Sequence, residues 1–555
     1  MDVKRDILRR IYVIYFLICA FGVAVISRAV YVQVVEGPGL RAKAETYTTA
    51  VRNIEAVRGN IYAANGSLLA TSIPLYEVRM DPNTQALTDE IFFDRVDTLG
   101  ECLSNLFNDH SPAEYARRLR QARADGQRYY LIKRNVKYTQ LKKMRQFPLF
   151  RKGRFKGGFL YIQQNKRQRP FQVLAARTIG YARAGIKPVG LEGAYDHELS
   201  GVSGKRLMER IAGGVWMPIS DENEIEPEDG SDVHTTIDIN IQDVAENALL
   251  RQLVEQDADH GCVALMEVES GAVLAIANLS RGDDGTYYER YNYAIGESTE
   301  PGSTFKLGSY MAAIEDGYIN PDDSIDAGDG KYKFYDTYMY DTKKGGYGVI
   351  SFEQAFAYSS NIAVAKMAVE HYGKKPQDFL NKMYDFHLND PLGIEIYGEG
   401  RPYVKTASDS SWSGISLPWI SHGYEVQLTP LQILAYYNAV ANGGKLVKPM
   451  FVREIRQRGQ VVQRFEPEVI DEAICSKSTI KKVRRMLEAV VEYGTARNLR
   501  NANFKIAGKT GTAQIANAQY GYRYQSKTSY QASFAGYFPA DNPKYSCIVV
   551  VNAPS

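Results

Sequence analysis

Residues 11–27, IYVIYFLICAFGVAVIS, carry no charge, and after Arg28 the apolar character continues through AVYVQVV to Val35. Such a run cannot lie on the surface of a soluble domain, so it constrains everything that follows. The uncharged part alone is short for a bilayer span, which takes ~20 apolar residues. Arg28 lies near one end, where its long side chain can snorkel to the interface, so a helix can run to Val35. A cleaved secretory leader is the alternative, but the segment is longer than an ordinary leader core and lacks an A-x-A cleavage pattern. Lys4, Arg5, Arg9 and Arg10 lie in front of it, which places residues 1–10 in the cytoplasm by the positive-inside rule. The expected layout is a tail (1–10), one membrane span (11–35) and a large external part.

At 555 residues the chain has room for two to four domains and at least one large core. A net charge of +3 is too small at this size to suggest a nucleic-acid binder. The five cysteines (Cys19, Cys102, Cys262, Cys475 and Cys547) are scattered and form no CxxC pair, which argues against a disulfide scaffold or a zinc site. The seven histidines show no HExxH spacing, so no metal is expected.

Residues 36–230 are mixed in pattern, with basic stretches at RKGRFKGG (151–158) and NKRQRP (165–170). These read as a solvated basic face, with contact to lipid phosphate or anionic wall polymer as the alternative. DENEIEPEDGS (221–231) reads as a linker or exposed loop. The following DVHTTIDINIQDVAENALLRQLVEQ suggests a strand running into an amphipathic helix. CVALMEVESGAVLAIAN (262–278) reads as two strands about the turn Glu269-Ser270-Gly271. Helical patterns dominate from about 303 to 445. Three strand-like segments close the chain: FKIAGKTGTAQ, YQASFAGYFPA and KYSCIVVVNA. The fold expected is α+β, with a central antiparallel sheet flanked by helices.

Three short motifs fall in order in this second half: Ser303-Thr304-Phe305-Lys306, Ser359-Ser360-Asn361 and Lys509-Thr510-Gly511. Together they are the signature of serine acyl-enzymes of the transpeptidase and β-lactamase kind. A serine hydroxyl is a poor nucleophile and needs a base beside it. Pro301-Gly302 suits a helix starting at Ser303, on which Ser303 and Lys306 share a face. Burial and a nearby second cation, Lys509, are expected to lower the pKa of Lys306 so that it can take the serine proton. Ser359 can relay a proton to the leaving amine, and Asn361 can bond a substrate amide. Lys509-Thr510-Gly511-Thr512 reads as a strand whose Gly511 lets a substrate backbone approach. Lys509 and the hydroxyls of Thr510 and Thr512 suit a substrate carboxylate.

Each motif alone recurs by chance. Ser478-Thr479-Ile480-Lys481 repeats S-x-x-K, but its setting, SKSTIKKVRR, reads as the capped start of a charged surface helix. Lys405-Thr406-Ala407 and Lys527-Thr528-Ser529 approach the third motif without Gly508 and Thr512 around them. Three matches in the required order carry the case.

On these residues the chain resembles a class B penicillin-binding protein over nearly its whole length. TEPGSTFK (299–306) is close to the family's nucleophile segment, and GLEGAYDHELSG (190–201) matches a family pattern. RGNIYAANG (58–66) is similar to R-G-x-I-x-D-R-x-G, departing from it at Ala63 and Ala64. Both are expected to be structural features of a non-catalytic pedestal. GYEVQLTPLQILAYYNAVANGG (423–444), VVEYGTA (490–496) and SFAGYFPADNP (533–543) match the catalytic domain, most closely that of the division transpeptidases called FtsI.

The resemblance implies an elongated pedestal over 36–230 and a transpeptidase domain over 231–555. It also implies a further helix after the last strand, so truncation at the C-terminus is expected, leaving one sheet face exposed. Ser303 is the implied nucleophile, acylated by D-Ala-D-Ala stem peptides of peptidoglycan or by β-lactams, and Lys306 is the base. Ser359 and Asn361 form the second motif, and Lys509, Thr510 and Gly511 the third. Backbone N–H groups of Ser303 and Thr512 form the oxyanion hole. No metal or organic cofactor and no nucleic acid is implied. The implied setting is the bacterial inner membrane, single-pass, with the catalytic domain outside. The implied partners are a SEDS-type glycosyltransferase and other division proteins. Alternatives are an elongation-type enzyme, a DD-carboxypeptidase, a β-lactamase-like hydrolase and a non-catalytic division scaffold.

Overall fold

The computed structural model describes residues 3–39, 49–183, 185–210, 216–218, 224–500, 503–515 and 529–553. Its first element is a helix, Val3–Tyr31, continued by a wider π-type turn, Val32–Glu36. Within Ile7–Gly39 an 18-residue window has a mean hydropathy of 2.3, and none of that window is buried. At 33 residues the whole stretch measures about 50 Å, more than the ~30 Å hydrocarbon core needs. Among the described residues it is the one helix with the length and composition of a membrane anchor. Arg28 bonds Glu36 at 3.2 Å and lies 5.1 Å over the ring of Tyr31. Its charge is thus met locally at the end of the apolar run.

The rest folds as two compact units between which the chain passes more than once. Met1–Val57, Ser72–Lys166 and Gly201–Asp229 make one, and Arg58–Thr71, Arg167–Ser200 and Gly230–Ser555 the other. In the first, two helices, Asp89–Phe107 and Pro112–Ala124, are capped by the hydroxyls of Thr88 and Ser111. They share a core in which Phe92, Val96, Leu99 and Leu119 meet Val78 and Val136. The antiparallel pairing of Leu75–Met80 with Tyr130–Lys137 supplies these last two residues. Thr49–Ile54 pairs with Gly204–Arg210 in a separate antiparallel ladder.

The segment RGNIYAANG, and GLEGAYDHELSG up to Ser200, lie in the second unit, the one that carries the three motifs. The physical reason is charge. The Arg58 Nε bonds Glu192 at 2.7 Å and its Nη1 bonds Asp196 at 2.7 Å, while the Arg167 Nε reaches the other Glu192 oxygen at 2.6 Å. Two guanidinium groups thus share one carboxylate that is 1% exposed. Arg167, from the basic stretch 165–170, is therefore structural rather than part of a solvated face. Removing one partner of a buried ion pair costs about 3–5 kcal/mol. Glu192→Ala is expected to lose stability of that order, read as a lower midpoint in denaturant unfolding.

The second unit is built on a six-stranded antiparallel sheet. Its strands in chain order are β1 (His260–Glu267), β2 (Val273–Arg281), β3 (Tyr287–Tyr288), β4 (Ala507–Gln514), β5 (Tyr530–Phe538) and β6 (Tyr545–Asn552). The spatial order is β3-β2-β1-β6-β5-β4, so the hairpin read at 262–278 forms one half and the closing strands the other. Helix α1 (Ile239–Glu255) covers one face, with Leu249 and Leu253 against Val263, Ala277 and Val551. On that face Cys547 and Val549 stay half-buried. The opposite face meets the helical block: α2 (Lys306–Glu315), α3 (Asn361–Tyr372), α4 (Pro430–Ala441) and α5 (Lys477–Glu492). Every residue of α4 is buried, as expected of a helix apolar all round.

Candidate active site

The turn bearing Ser303 is held from several sides. Gly302–Phe305 is a 3₁₀ turn, and the α-helix proper begins at Lys306 rather than at Ser303. Gly302 has φ +55° and donates its N–H to the Gly423 carbonyl at 3.1 Å. A Cβ on Gly423 would lie 2.0 Å from the Gly302 oxygen, so both positions need glycine. The Tyr437 hydroxyl donates to the Thr304 carbonyl at 2.8 Å, and the Thr304 hydroxyl to that of Pro301 at 2.8 Å. Thr304 and Phe305 are buried while Ser303 remains half-exposed, which leaves its hydroxyl reachable.

Lys306 is fully buried. Its Nζ bonds the Ser359 carbonyl at 2.7 Å, the Ser359 Oγ at 3.1 Å and the Asn361 Oδ1 at 2.7 Å. The first motif therefore meets the second directly. The amide of Asn361 donates its Nδ2 to the Tyr340 carbonyl at 3.0 Å, the orientation expected when its oxygen faces an amine. Ser359 has φ +61°, a strained setting for a non-glycine residue that tends to mark functional positions. Ser360 caps α3, its Oγ accepting from the Ala363 N–H at 3.0 Å and donating to Asp341 at 2.7 Å. The other Asp341 oxygen accepts the N–H groups of Asn361 and Ile362 at 2.6 and 3.1 Å. Asp341 thus anchors the second motif, and nothing in its own sequence neighbourhood, MYDTKKGG, announces that.

The third motif lies on β4, at the open edge of the sheet. Lys509 faces Ala535 across the ladder, Thr510 Phe534, Gly511 Ser533 and Thr512 Ala532. A Cβ on Gly511 would come within 2.2 Å of the Ser533 Oγ and 3.0 Å of the Thr304 methyl. A side chain there would crowd the strand against Ser533 and the nucleophile turn, a reason for glycine in addition to the substrate approach its spacing suggests. Thr512 is exposed, and the Thr510 hydroxyl pairs with that of Thr495 at 2.6 Å. Lys509 is fully buried; its Nζ points at the Ser359 Oγ, 2.9 Å away, and the Thr510 carbonyl, 3.0 Å away. One hydroxyl, that of Ser359, therefore sits between two buried amines.

Burial pulls the Lys306 pKa down to about 7, with Asp341 acting in the opposite sense. Burial and then the charge of Lys306 push Lys509 well below the ordinary lysine value. Burial thus depresses Lys306 as expected, and the repulsion between the two amines, which is mutual, acts in the same sense. His422, also buried, is pushed down to about 3 by burial and then by Lys306. It is thus a neutral ring, tied to the Trp419 carbonyl at 2.6 Å.

The near-matches lie elsewhere. Ser478 is exposed on the first turn of α5, and the capping residue is Ser476, whose Oγ accepts from the Thr479 N–H at 3.3 Å. Ser478→Ala is expected to leave acylation unchanged; a large loss would move the nucleophile there. Lys405 pairs with Glu425 at 2.7 Å, a structural ion pair. Lys527 and Thr528 fall outside the described residues. Among the described residues no group of three or more His, Cys, Asp or Glu side chains is placed to hold a metal.

Comparison with known proteins fits this geometry. Residues 261–555 match the penicillin binding protein transpeptidase domain, and residues 53–235 the penicillin-binding protein dimerisation domain. Penicillin-binding protein PbpB of Mycolicibacterium smegmatis is 30% identical over 407 residues, which cover 71% of this chain and 61% of PbpB. The chain thus spans about three fifths of that relative. The peptidoglycan D,D-transpeptidase FtsI of Buchnera aphidicola is 25% identical over 549 residues, covering 96% of this chain and 88% of FtsI. The crystal structure of penicillin binding protein 2X from Streptococcus thermophilus superposes with a TM-score of 0.78 at 21% identity. It covers 91% of this chain and 77% of that one, and shows the shared fold. With both domains matched and the three motifs gathered about one hydroxyl, the chain belongs to the penicillin-binding protein family, in the class that joins a dimerisation domain to a transpeptidase domain.

Proposed function

We propose that the protein is a peptidoglycan D,D-transpeptidase working through an acyl-enzyme on Ser303. The observation that carries this reading is Lys306: a fully buried amine with its pKa near 7, three residues from a reachable serine. A neutral Lys306 takes the proton as Ser303 Oγ attacks the carbonyl of the penultimate D-alanine. The N–H groups of Ser303 and Thr512 stabilise the oxyanion. Ser359, bonded to both amines, passes the proton to the departing D-alanine nitrogen. An amine of a second stem peptide then attacks the ester, receives the acyl group and releases Ser303. Among the described residues strand β4 pairs with β5 alone, which leaves its other edge for an extended peptide laid alongside as an added strand. Asn361 bonds the substrate amide, Gly511 keeps strand and serine close, and Lys509, Thr510 and Thr512 receive the terminal carboxylate. A β-lactam acylates the same serine.

Residues 1–10 serve as cytoplasmic tail, 11–35 as span, 36–230 as the dimerisation-type region and 231–555 as the transpeptidase domain. Lys4, Arg5, Arg9 and Arg10 hold the N-terminus in the cytoplasm and leave catalysis outside the inner membrane. Likeness to FtsI favours septal wall synthesis beside a SEDS-type glycosyltransferase and other division proteins. Intact mass of the protein, followed over hours with a penicillin, tests the assignment. One stable drug adduct on the Ser303 peptide is the expected result. Rapid drug loss without an adduct would favour hydrolysis, and no reaction at all a non-catalytic scaffold.

A further inference from the structure

Immediately before Asp341, the strands Lys331–Phe334 and Thr337–Tyr340 form an antiparallel hairpin with Lys331 opposite Tyr340 and Lys333 opposite Tyr338. Alternation sorts its side chains onto two faces. Phe334 and Met339 turn inward against Ile362 and Ala365 of α3. Tyr332 shares their face, under the Lys366 amine at 4.3 Å. The outer face presents Lys331, Lys333, Tyr338 and Tyr340, all exposed. The Lys331 Nζ lies 3.9 Å over the Tyr338 ring and 5.6 Å over that of Tyr340. The two tyrosine rings are 6.4 Å apart, with their planes tilted by 38°.

This surface is continuous with the site, because Tyr340 is joined to Asp341 and its carbonyl takes the Asn361 amide. We propose that the outer face of the 331–340 hairpin is a platform for the glycan backbone of the wall polymer. Sugar rings stack on Tyr338 and Tyr340, and Lys331 and Lys333 face the carboxylates carried by the stems. The inference rests on the transpeptidase reading and names a subsite of that substrate. Two arguments support it. A hairpin anchored on its inner face needs no aromatic rings on its outer one, and an exposed aromatic patch marks an interaction surface. Reach also agrees: a stem of about five residues extends ~17 Å, and a four-residue strand beside Asn361 covers ~13 Å. A stem seated at Ser303 therefore leaves its glycan within range of these rings.

The test uses the full-length protein in detergent and its Tyr338→Thr/Lys331→Gln variant, threonine keeping the strand preference. Cosedimentation is measured with intact sacculi and with glycan strands stripped of stems by an amidase, alongside the acylation rate with a soluble fluorescent penicillin. The expected result is at least a tenfold loss of binding to both polymers with acylation within twofold of wild type, and retained binding in Tyr338→Phe. Unchanged binding would overturn the proposal and leave the hairpin a stability device. Loss confined to intact sacculi would place peptide, not glycan, on the face. A parallel fall in acylation, or equal loss in Tyr338→Phe, would equally reject stacking. Failure of the wild type to acylate would instead sink the transpeptidase reading itself.

Discussion

Ser303→Ala is expected to abolish covalent labelling by penicillin while leaving the fold as stable as the wild type. The second half of that expectation follows from the bonding pattern. The Lys306 amine is bonded to Ser359 and Asn361, and the turn is clamped through Gly302, Thr304 and Gly423. Removing a half-exposed hydroxyl leaves those bonds in place, and substitutions away from such features usually change stability by no more than about 0.5 kcal/mol. The loss of reaction has no such margin, since no other oxygen occupies that place on the turn. The check is the intact mass after prolonged exposure to drug, with thermal unfolding in parallel. Ordinary labelling of the variant would end the assignment of the nucleophile.

The second large effect concerns Lys306 and carries a pH signature. Only the neutral amine can accept the serine proton, so the acylation rate should follow the deprotonated fraction. With the pKa near 7, the rate should climb about tenfold between pH 6 and pH 8 and level off above. Lys306→Met should cut acylation by about 10²–10⁴-fold, the usual worth of a positioned base. Stability shifts with pH in the same direction as the rate. An amine whose pKa is depressed on folding prefers to be uncharged there, so below its unfolded value of 10.5 the folded state must give up a proton or bury a charge. That cost is present at pH 7 and fades as the pH rises toward the unfolded value. Methionine removes it but leaves the Ser359 carbonyl and Asn361 oxygen without their donor, so no large net change in stability is expected. A flat pH profile for the wild type, or a variant that acylates normally, would remove Lys306 from the role of base.

Much of the sheet and of the site was legible beforehand because its signals are local. The strand pair about Ser270, the helix after Asp238 and the three closing strands follow from alternation and turn residues within short windows. The spacing of Ser303 and Lys306 carries its own chemistry. What escaped depends on contacts between distant segments. Asp341 matters only because α3 begins beside it, and Ser359 matters because two amines far apart in the sequence converge on its hydroxyl. The bond between Arg58 and Glu192 also escaped, since an ion pair between distant segments leaves no periodicity. At Gly511 the close approach to Ser533 and Thr304 was not legible, because both neighbours come from other segments.

The strand order has a consequence for how the chain becomes reactive during its synthesis. β1 and β2 leave the ribosome long before β6, yet β1 is the strand on which β6 pairs, and β5 and β4 join the sheet through β6. Closing so distant a pairing is the slow, entropically costly step of such a fold. Until it happens, Lys509 has no fixed partner, and the Ser359 hydroxyl lacks one of the two amines that hold it. A chain still being synthesised therefore carries its nucleophile in an incomplete site. Reactivity arrives only once β6 has paired.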